Sequence, residues 1–125
     1  KIASGLKNKV DIEKLRDSLV IVLCNLKPRS LCGWTSHGML LCCNNGETVE
    51  PIRPPAGSKP GDLVHIGDYV RQPVPELNPK KNPWDVVKDD LIVNEEKIAT
   101  FAKNSLWKTE NGYITSESLT NAKIS

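Results

Sequence analysis

Proline and glycine divide this chain into short apolar runs, and that division limits the folds available to it. The 125 residues include nine prolines and eight glycines, and the longest apolar run, Leu19–Cys24, is six residues long. A run of this length that is rich in β-branched residues is typical of a buried strand. It is far shorter than the roughly 18 residues that a membrane-spanning helix needs. Short strands between proline-rich loops predict a mainly β domain, most simply a compact barrel.

Strand and turn signals recur along the whole chain. Asp11 can cap a short helix over 11–17, and 19–24 and 38–43 are predicted to be buried central strands joined by a polar loop through Gly33. Asn44-Asn45-Gly46 predicts a type I′ hairpin turn with a return strand at 48–52. The other expected elements are a loop at 54–62, a strand at 63–66, a loop at 71–81, a helix from 82 to about 90, and short strands after 98 with a turn at 111–112.

Charge is distributed unevenly along the sequence. The formal net charge is only +2, but residues 1–81 carry 12 Lys and Arg against 8 Asp and Glu, whereas residues 82–125 carry 5 against 7. A basic front of this kind suits an anionic partner better than the net charge alone suggests.

The four cysteines, Cys24, Cys32, Cys42 and Cys43, do not form the pattern of a disulfide framework. Neighbouring Cys42 and Cys43 would point to opposite faces of a strand. We expect all four to be reduced thiols that pack as small hydrophobes in a cytoplasmic protein. Their spacing, and that of the two histidines, lacks the paired ligands of a zinc site, so we expect no metal and no other cofactor.

Ser36 and His37 raise the question of catalysis, because Ser36-His37-Gly38 contains half of a nucleophile elbow. That elbow requires a glycine two positions before the serine, and Trp34 stands there instead. Adjacent strand residues also point apart, so the serine and the histidine do not form a dyad. We therefore expect no enzymatic activity.

Polar and basic residues cluster where the two predicted central strands end and begin. Asn25, Lys27 and Arg29 follow the first strand, and Ser36 and Met39 begin the second. Cations there could bind an RNA backbone while the amide, hydroxyl and thioether meet splayed bases. The alternative is that the two cations are simply solvated and that Met39 belongs to the core.

Two further features have the same two interpretations. Trp34 is a candidate for stacking on a base, although tryptophan more often packs inside a fold. Lys80 and Lys81 lie in a proline-bracketed loop that could bind phosphate, or they could be a solvated pair ahead of the helix.

The sequence resembles the C-terminal tRNA-binding domain of the endothelial-monocyte-activating polypeptide II type, which occurs in synthetase-complex cofactors and in tyrosyl-tRNA synthetase extensions. Six ordered blocks carry the resemblance: Ala3-Ser4-Gly5-Leu6, Val22-Leu23-Cys24-Asn25-Leu26-Lys27-Pro28, Ser36-His37-Gly38-Met39-Leu40-Leu41-Cys42, Pro54-Pro55-Ala56-Gly57-Ser58, Glu76-Leu77-Asn78-Pro79-Lys80-Lys81 with Trp84, and Asn121-Ala122-Lys123-Ile124-Ser125. The resemblance implies an oligonucleotide-binding (OB) barrel over residues 1–67 and an extension packed on it over residues 68–125.

The implied function is non-catalytic binding of tRNA on behalf of an aminoacyl-tRNA synthetase or its complex, and Asn25, Lys27, Ser36 and Met39 match the family's binding positions. Family members usually carry arginine where this chain has Cys32, and Arg29 is the expected substitute. The first strands of the family's barrel have no counterpart here, so we expect an upstream fragment or a second copy to complete the sheet. The alternative function is a released, cytokine-like signalling or protein-interaction fragment, for which a secreted form would exist.

Overall fold

The computed structural model describes residues 2–67 and 87–125, and they form a mainly β structure. The helical elements are α1 (Ile12–Leu15) and a 3-10 helix (Lys88–Asp90). The strands are β1 (Val22–Leu23), β2 (Arg29–Leu31), β3 (Trp34–Ser36), β4 (Met39–Leu40), β5 (Cys42–Asn44), β6 (Val49–Pro51), β7 (His65–Ile66), β8 (Leu91–Val93), β9 (Ala99–Phe101), β10 (Ser105–Thr109), β11 (Gly112–Tyr113) and β12 (Ala122–Ile124).

Strands from both ends of the chain share one curled, eight-stranded sheet. Its order is β11-β10-β9-β8-β12-β5-β6, and β7 pairs with β10 outside this path. The last strand, β12, lies between β8 and β5, with Ile124 opposite Cys43. The predicted mainly β, barrel-type fold is confirmed. The predicted division at residue 67 stays a prediction, and the described strands on its two sides are joined by hydrogen bonds in this sheet.

A single hydrophobic cluster holds these strands together. Ile52, Val93 and Ile114 have no exposed surface, and Ile124 has 1%. Full burial of a side chain of this size contributes about 1.5–3 kcal/mol. The cluster also includes Ile21 and Leu41, next to β1 and β4, so the start of the chain segment that carries Lys27 and Arg29 packs on the same core as the late strands.

The prediction of a buried central strand at 19–24 is wrong. Only Val22–Leu23 forms a strand, its pairing partner is β4, and within the apolar run only Ile21 is buried. The remaining aliphatic side chains are half-buried because Val20 and Val22 face an open groove of about 920 Å³ beneath the N-terminal segment. An apolar run shows that a segment avoids water, but not how many of its faces are covered.

The predicted hairpin at Asn44-Asn45-Gly46 exists, but its turn is not the two-residue type I′ turn. Asn44 is opposite Val49, which leaves four residues in the loop. The side chain of Asn45 accepts hydrogen bonds from the backbone N–H groups of Glu47 (3.0 Å) and Thr48 (2.8 Å). These bonds stabilise a longer loop, in which Gly46 takes the left-handed conformation at φ +94°.

The first helix is shorter than the sequence indicates. Asp11 caps α1 as expected, since its carboxylate accepts the backbone N–H of Glu13 at 3.0 Å. The helix ends after one turn because Arg16 is extended and Asp17 has a φ of +53°. Most of the helix expected over 82–90 lies outside the described residues, and the described part contains the 3-10 helix at Lys88–Asp90. Strands after residue 98 are confirmed, whereas β8 was not predicted.

Candidate RNA-binding site

Five of the predicted RNA-binding residues lie on one antiparallel ribbon, residues 22–40, which we call the basic ribbon. At its base Leu23 is opposite Met39, and further out Arg29 is opposite Ser36. Between these two rungs the outgoing arm has five residues (24–28) and the returning arm has two (37–38). The outgoing arm therefore bulges, and Asn25 and Lys27 lie in the bulge.

The sequence of the bulge accounts for its shape. Pro28 has no backbone N–H to donate, so regular pairing cannot continue through it. Pairing resumes at Arg29, which begins β2. The side chain of Lys27 is exposed and that of Asn25 is half-buried, so the cation projects while the amide lies nearer the fold.

Gly38 allows the two arms to approach closely at the bulge. A Cβ placed on it would lie 3.0 Å from the carbonyl oxygen of Leu23 and 3.2 Å from Cγ1 of Val22. The nearer of these atoms belongs to the backbone and cannot rotate away. The glycine therefore fixes the depth at which the returning arm packs under the bulge that carries Lys27.

Ser36 and Met39 lie mostly inside the fold. Ser36 is 9% exposed, and its Oγ accepts the backbone N–H of Ala3 and donates to the carbonyl oxygen of Gly38, both at 2.9 Å. Met39 is half-buried and packs against the hydrophobic core. These positions indicate that the two residues hold the ribbon in place, and the direct RNA contacts expected of them stay predictions.

The outer part of the ribbon was predicted to be a polar loop and is instead a hairpin. Leu31 is opposite Trp34, and the connecting Cys32 and Gly33 have φ values of +51° and +82°. Two successive positive φ angles are what a type I′ turn requires. The signal for this turn in the sequence is weak, because the usual first residue is asparagine, aspartate or glycine and here it is cysteine.

The ribbon belongs to a stretch of chain without acidic residues. No Asp or Glu occurs from position 18 to position 46, whereas Lys27 and Arg29 are both there and both exposed. Because neighbouring charges of opposite sign are absent from the same segment, the two cations reinforce each other's field. A positively charged, exposed ribbon of this kind is suited to binding a phosphate backbone.

Other chemistry is poorly supported by the described groups. All four cysteines are free thiols, and in residues 2–67 and 87–125 no three His, Cys, Asp or Glu side chains meet in a way that could hold a metal. Burial, with the Glu50 carboxylate nearby, raises the pKa of Cys43 to about 12, which keeps the thiol protonated and unreactive. Cys24 and Cys32 are exposed, so packing as small hydrophobes holds only for the other two.

The remaining predicted phosphate contact is the lysine pair of the proline-bracketed loop. Lys80 and Lys81 lie outside the described residues. Of the helices in the part that is described, none has the length and apolar character to cross a membrane.

Comparisons with known proteins show the family to which this chain belongs. A family model described as "Putative tRNA binding domain" matches residues 1–63, which include the whole basic ribbon. The mouse aminoacyl tRNA synthase complex-interacting multifunctional protein 1 is 36% identical over 123 residues, which are 98% of this chain and 40% of that protein. The cytoplasmic methionine–tRNA ligase of Caenorhabditis elegans is 39% identical over 117 residues, 94% of this chain and 12% of the ligase. The chain thus spans less than half the length of these curated relatives.

A solved structure shares the fold. The crystal structure of the C-terminal domain of Plasmodium vivax p43 superposes with a TM-score of 0.91 at 35% identity, covering 99% of this chain and 76% of that one. The similarity therefore extends past the region of the family model into the strands that follow it. Family model, relatives and solved structure agree, and this chain belongs to the family of tRNA-binding domains.

Proposed function

We propose that this chain is a non-catalytic module that binds tRNA and delivers or retains it for an aminoacyl-tRNA synthetase. The observation that carries the proposal is the basic ribbon, where Lys27 and Arg29 project on either side of Pro28 from a segment with no acidic residue. Phosphate contacts supply most of the affinity of a protein for folded RNA without selecting a sequence. The site is therefore suited to binding many tRNAs.

The ribbon is held in a fixed shape before RNA arrives. Gly38 sets the distance between the arms, and the Ser36 hydroxyl ties the returning arm to Ala3. A cation on a fixed bulge loses less conformational freedom on binding than one on a mobile tail. We propose Asn25, Lys27 and Arg29 as the direct contacts, with Ser36 and Met39 positioning them, and Lys80 and Lys81 as additional phosphate ligands.

The role beside a synthetase follows from the relatives. Their names include a synthetase complex-interacting protein and cytoplasmic ligases for methionine and tyrosine. A tRNA-binding module attached to a synthetase raises the effective concentration of tRNA at the active site without adding chemistry. We propose a synthetase or its complex as the partner and the cytoplasm as the compartment.

Filter binding of bulk tRNA at several salt concentrations tests the proposal. Affinity should fall by about 0.7–0.9 log units per log unit of salt for each phosphate neutralised. Lys27→Gln should weaken binding by roughly five- to tenfold and reduce the salt slope by about one phosphate. Lys123→Gln is the matched control, because this lysine is also exposed but lies on β12 in the main sheet.

Equal affinities of the two variants would overturn the site. Absence of tRNA binding at low salt, combined with tight binding to a synthetase, would overturn the function in favour of a scaffold. Cell or receptor binding that survives replacement of Lys27 and Arg29 would identify a signalling fragment instead.

A further inference from the structure

The tip of the basic ribbon carries a second kind of surface, and we propose that Trp34 stacks on an unpaired nucleobase while Arg29 binds the adjoining phosphate. The inference rests on the proposed function. It adds that the site selects a splayed, single-stranded nucleotide rather than the backbone of a duplex.

The pairing of the hairpin places the required groups on one face. Leu31 and Trp34 are opposite each other, and so are Arg29 and Ser36. Directly opposed residues share a face, and side chains two positions apart on a strand return to the same face. Arg29, Leu31 and Trp34 therefore line one side of the ribbon, while Ser30 and Thr35 line the other.

Both apolar side chains on this face are exposed. Trp34 is 56% exposed and Leu31 43%, in a chain whose other described tryptophan, Trp107, is 3% exposed. Next to an arginine and without acidic neighbours in sequence, this apolar surface suits a ligand that is flat and apolar on one side and anionic on the other.

A nucleotide has this combination, because its base presents an aromatic face and its phosphate a negative charge. Leu31 extends the platform beside the indole. Arg29 is the next residue along β2 on the same face, on the side away from the turn. On the same rung, opposite Arg29, the face is covered by the N-terminal segment, since the Ser36 hydroxyl is hydrogen-bonded to Ala3. We therefore expect the platform to take one base at Trp34, with its phosphate at Arg29.

The hairpin is also rigid enough to act as a platform. A two-residue turn connects Leu31 and Trp34, and both turn residues are held at positive φ. A short turn of this type leaves the two strands little freedom to separate. Stacking on a side chain that is already fixed avoids most of the ordering cost of binding.

The test compares RNAs that differ in unpaired nucleotides but not in charge. The probes are a hairpin RNA with a single-stranded loop and a blunt duplex with the same number of phosphates, alongside bulk tRNA. Trp34→Ala should weaken binding of the loop RNA and of tRNA by about tenfold, the scale of one lost base stack, and leave duplex binding unchanged. The salt slope should stay the same, because no phosphate contact is removed.

Two control variants separate stacking from folding. Trp34→Phe keeps an aromatic face and should retain most of the affinity, while Thr35→Ala alters the opposite face of the same hairpin and should change nothing. Quenching of tryptophan fluorescence by the loop RNA should be present in the wild-type chain and reduced in Trp34→Phe.

The outcomes distinguish this inference from the proposed function. If Trp34→Ala binds loop RNA as tightly as the wild type while Lys27→Gln is weakened, stacking is wrong and the phosphate site stands. If neither variant is weakened, the stacking site and the phosphate site are both wrong, whereas the tRNA-binding function is overturned only if bulk tRNA does not bind at low salt. If Trp34→Ala instead loses self-association or binding to a synthetase with RNA affinity intact, the platform is a protein contact and the stacking proposal is overturned.

Discussion

Ser36 and Ala3 are joined by a hydrogen bond of 2.9 Å between the serine Oγ and the alanine backbone N–H, across 33 positions of sequence. The same oxygen donates to the carbonyl of Gly38 at 2.9 Å. One buried hydroxyl thus links the N-terminal segment to the returning arm of the basic ribbon, beside the rung that carries Arg29. The segment and the ribbon are positioned together.

Replacing this hydroxyl tests whether Ser36 positions the site or contacts RNA. Ser36→Ala leaves the N–H of Ala3 and the carbonyl of Gly38 without this partner, so we expect a loss of about 1–3 kcal/mol in the free energy of unfolding, measured with urea. If the residue only positions the ribbon, tRNA affinity under conditions where the variant is fully folded should fall less than threefold. A tenfold loss at unchanged stability would instead make the hydroxyl a direct ligand.

The close approach of the two arms at Gly38 can be tested with a matched pair of glycine substitutions. Gly38→Ala places a Cβ 3.0 Å from the carbonyl oxygen of Leu23, so the arms must move apart, at a cost of about 1–3 kcal/mol. Gly5→Ala adds the same atom where nothing lies within 4 Å and should have little effect on stability. Thermal unfolding and tRNA titration of both variants provide the measurement, and equal melting temperatures would contradict the close-approach argument.

The sequence was sufficient for the class of fold and for which segment carries the cations, because both depend on local patterns. Apolar runs bounded by proline and glycine mark strands, and Lys27 and Arg29 are near neighbours in the chain. The burial of Ser36 was not predictable in this way. It depends on Ala3, which is distant in sequence, and a hydroxyl beside two cations has the same local pattern whether it faces RNA or the backbone.

The same limit explains the missed hairpin at the ribbon tip. The sequence signal for a type I′ turn is a residue that tolerates positive φ followed by glycine, and Cys32 does not supply it. The turn forms because the flanking strands pair from Arg29 to Ser36 and impose that geometry on the cysteine. Pairing of the two flanking strands, and not a preference of Cys32 for this conformation, accounts for the turn.

We expect the free energy of unfolding to depend on pH through Glu50. Its buried carboxylate accepts the backbone N–H groups of Ser118 and Leu119, both at 2.9 Å, and the Ser118 hydroxyl at 2.8 Å. Burial alone would raise the pKa of Glu50, but these hydrogen bonds outweigh it and leave the pKa below its ordinary value. A depressed pKa in the folded state means stability that is present above the pKa of the unfolded chain and is lost as pH falls through the folded value.

Urea unfolding of the wild-type chain and of Glu50→Gln at neutral pH and near pH 3 measures this contribution. At neutral pH the variant should be less stable by about 1–3 kcal/mol, since an amide cannot accept all three bonds. Its further loss of stability in acid should be smaller than that of the wild type. Glu47→Gln, an exposed neighbour in the same hairpin, should follow the wild-type curve, and a parallel shift of both variants would refute the assignment.

We expect a substitution at Cys32 to stabilise the chain. A non-glycine residue held at a φ of +51° costs on the order of 1 kcal/mol, and asparagine tolerates this conformation better than cysteine. Cys32→Asn should therefore raise the free energy of unfolding by about 0.5–1 kcal/mol, with tRNA binding unchanged because the charge of the ribbon is unchanged. Cys24→Asn is the control, since Cys24 is also exposed but is not among the residues with positive φ. A gain in the control as large as that at position 32 would show that removal of an exposed thiol, and not relief of the turn, stabilises the chain.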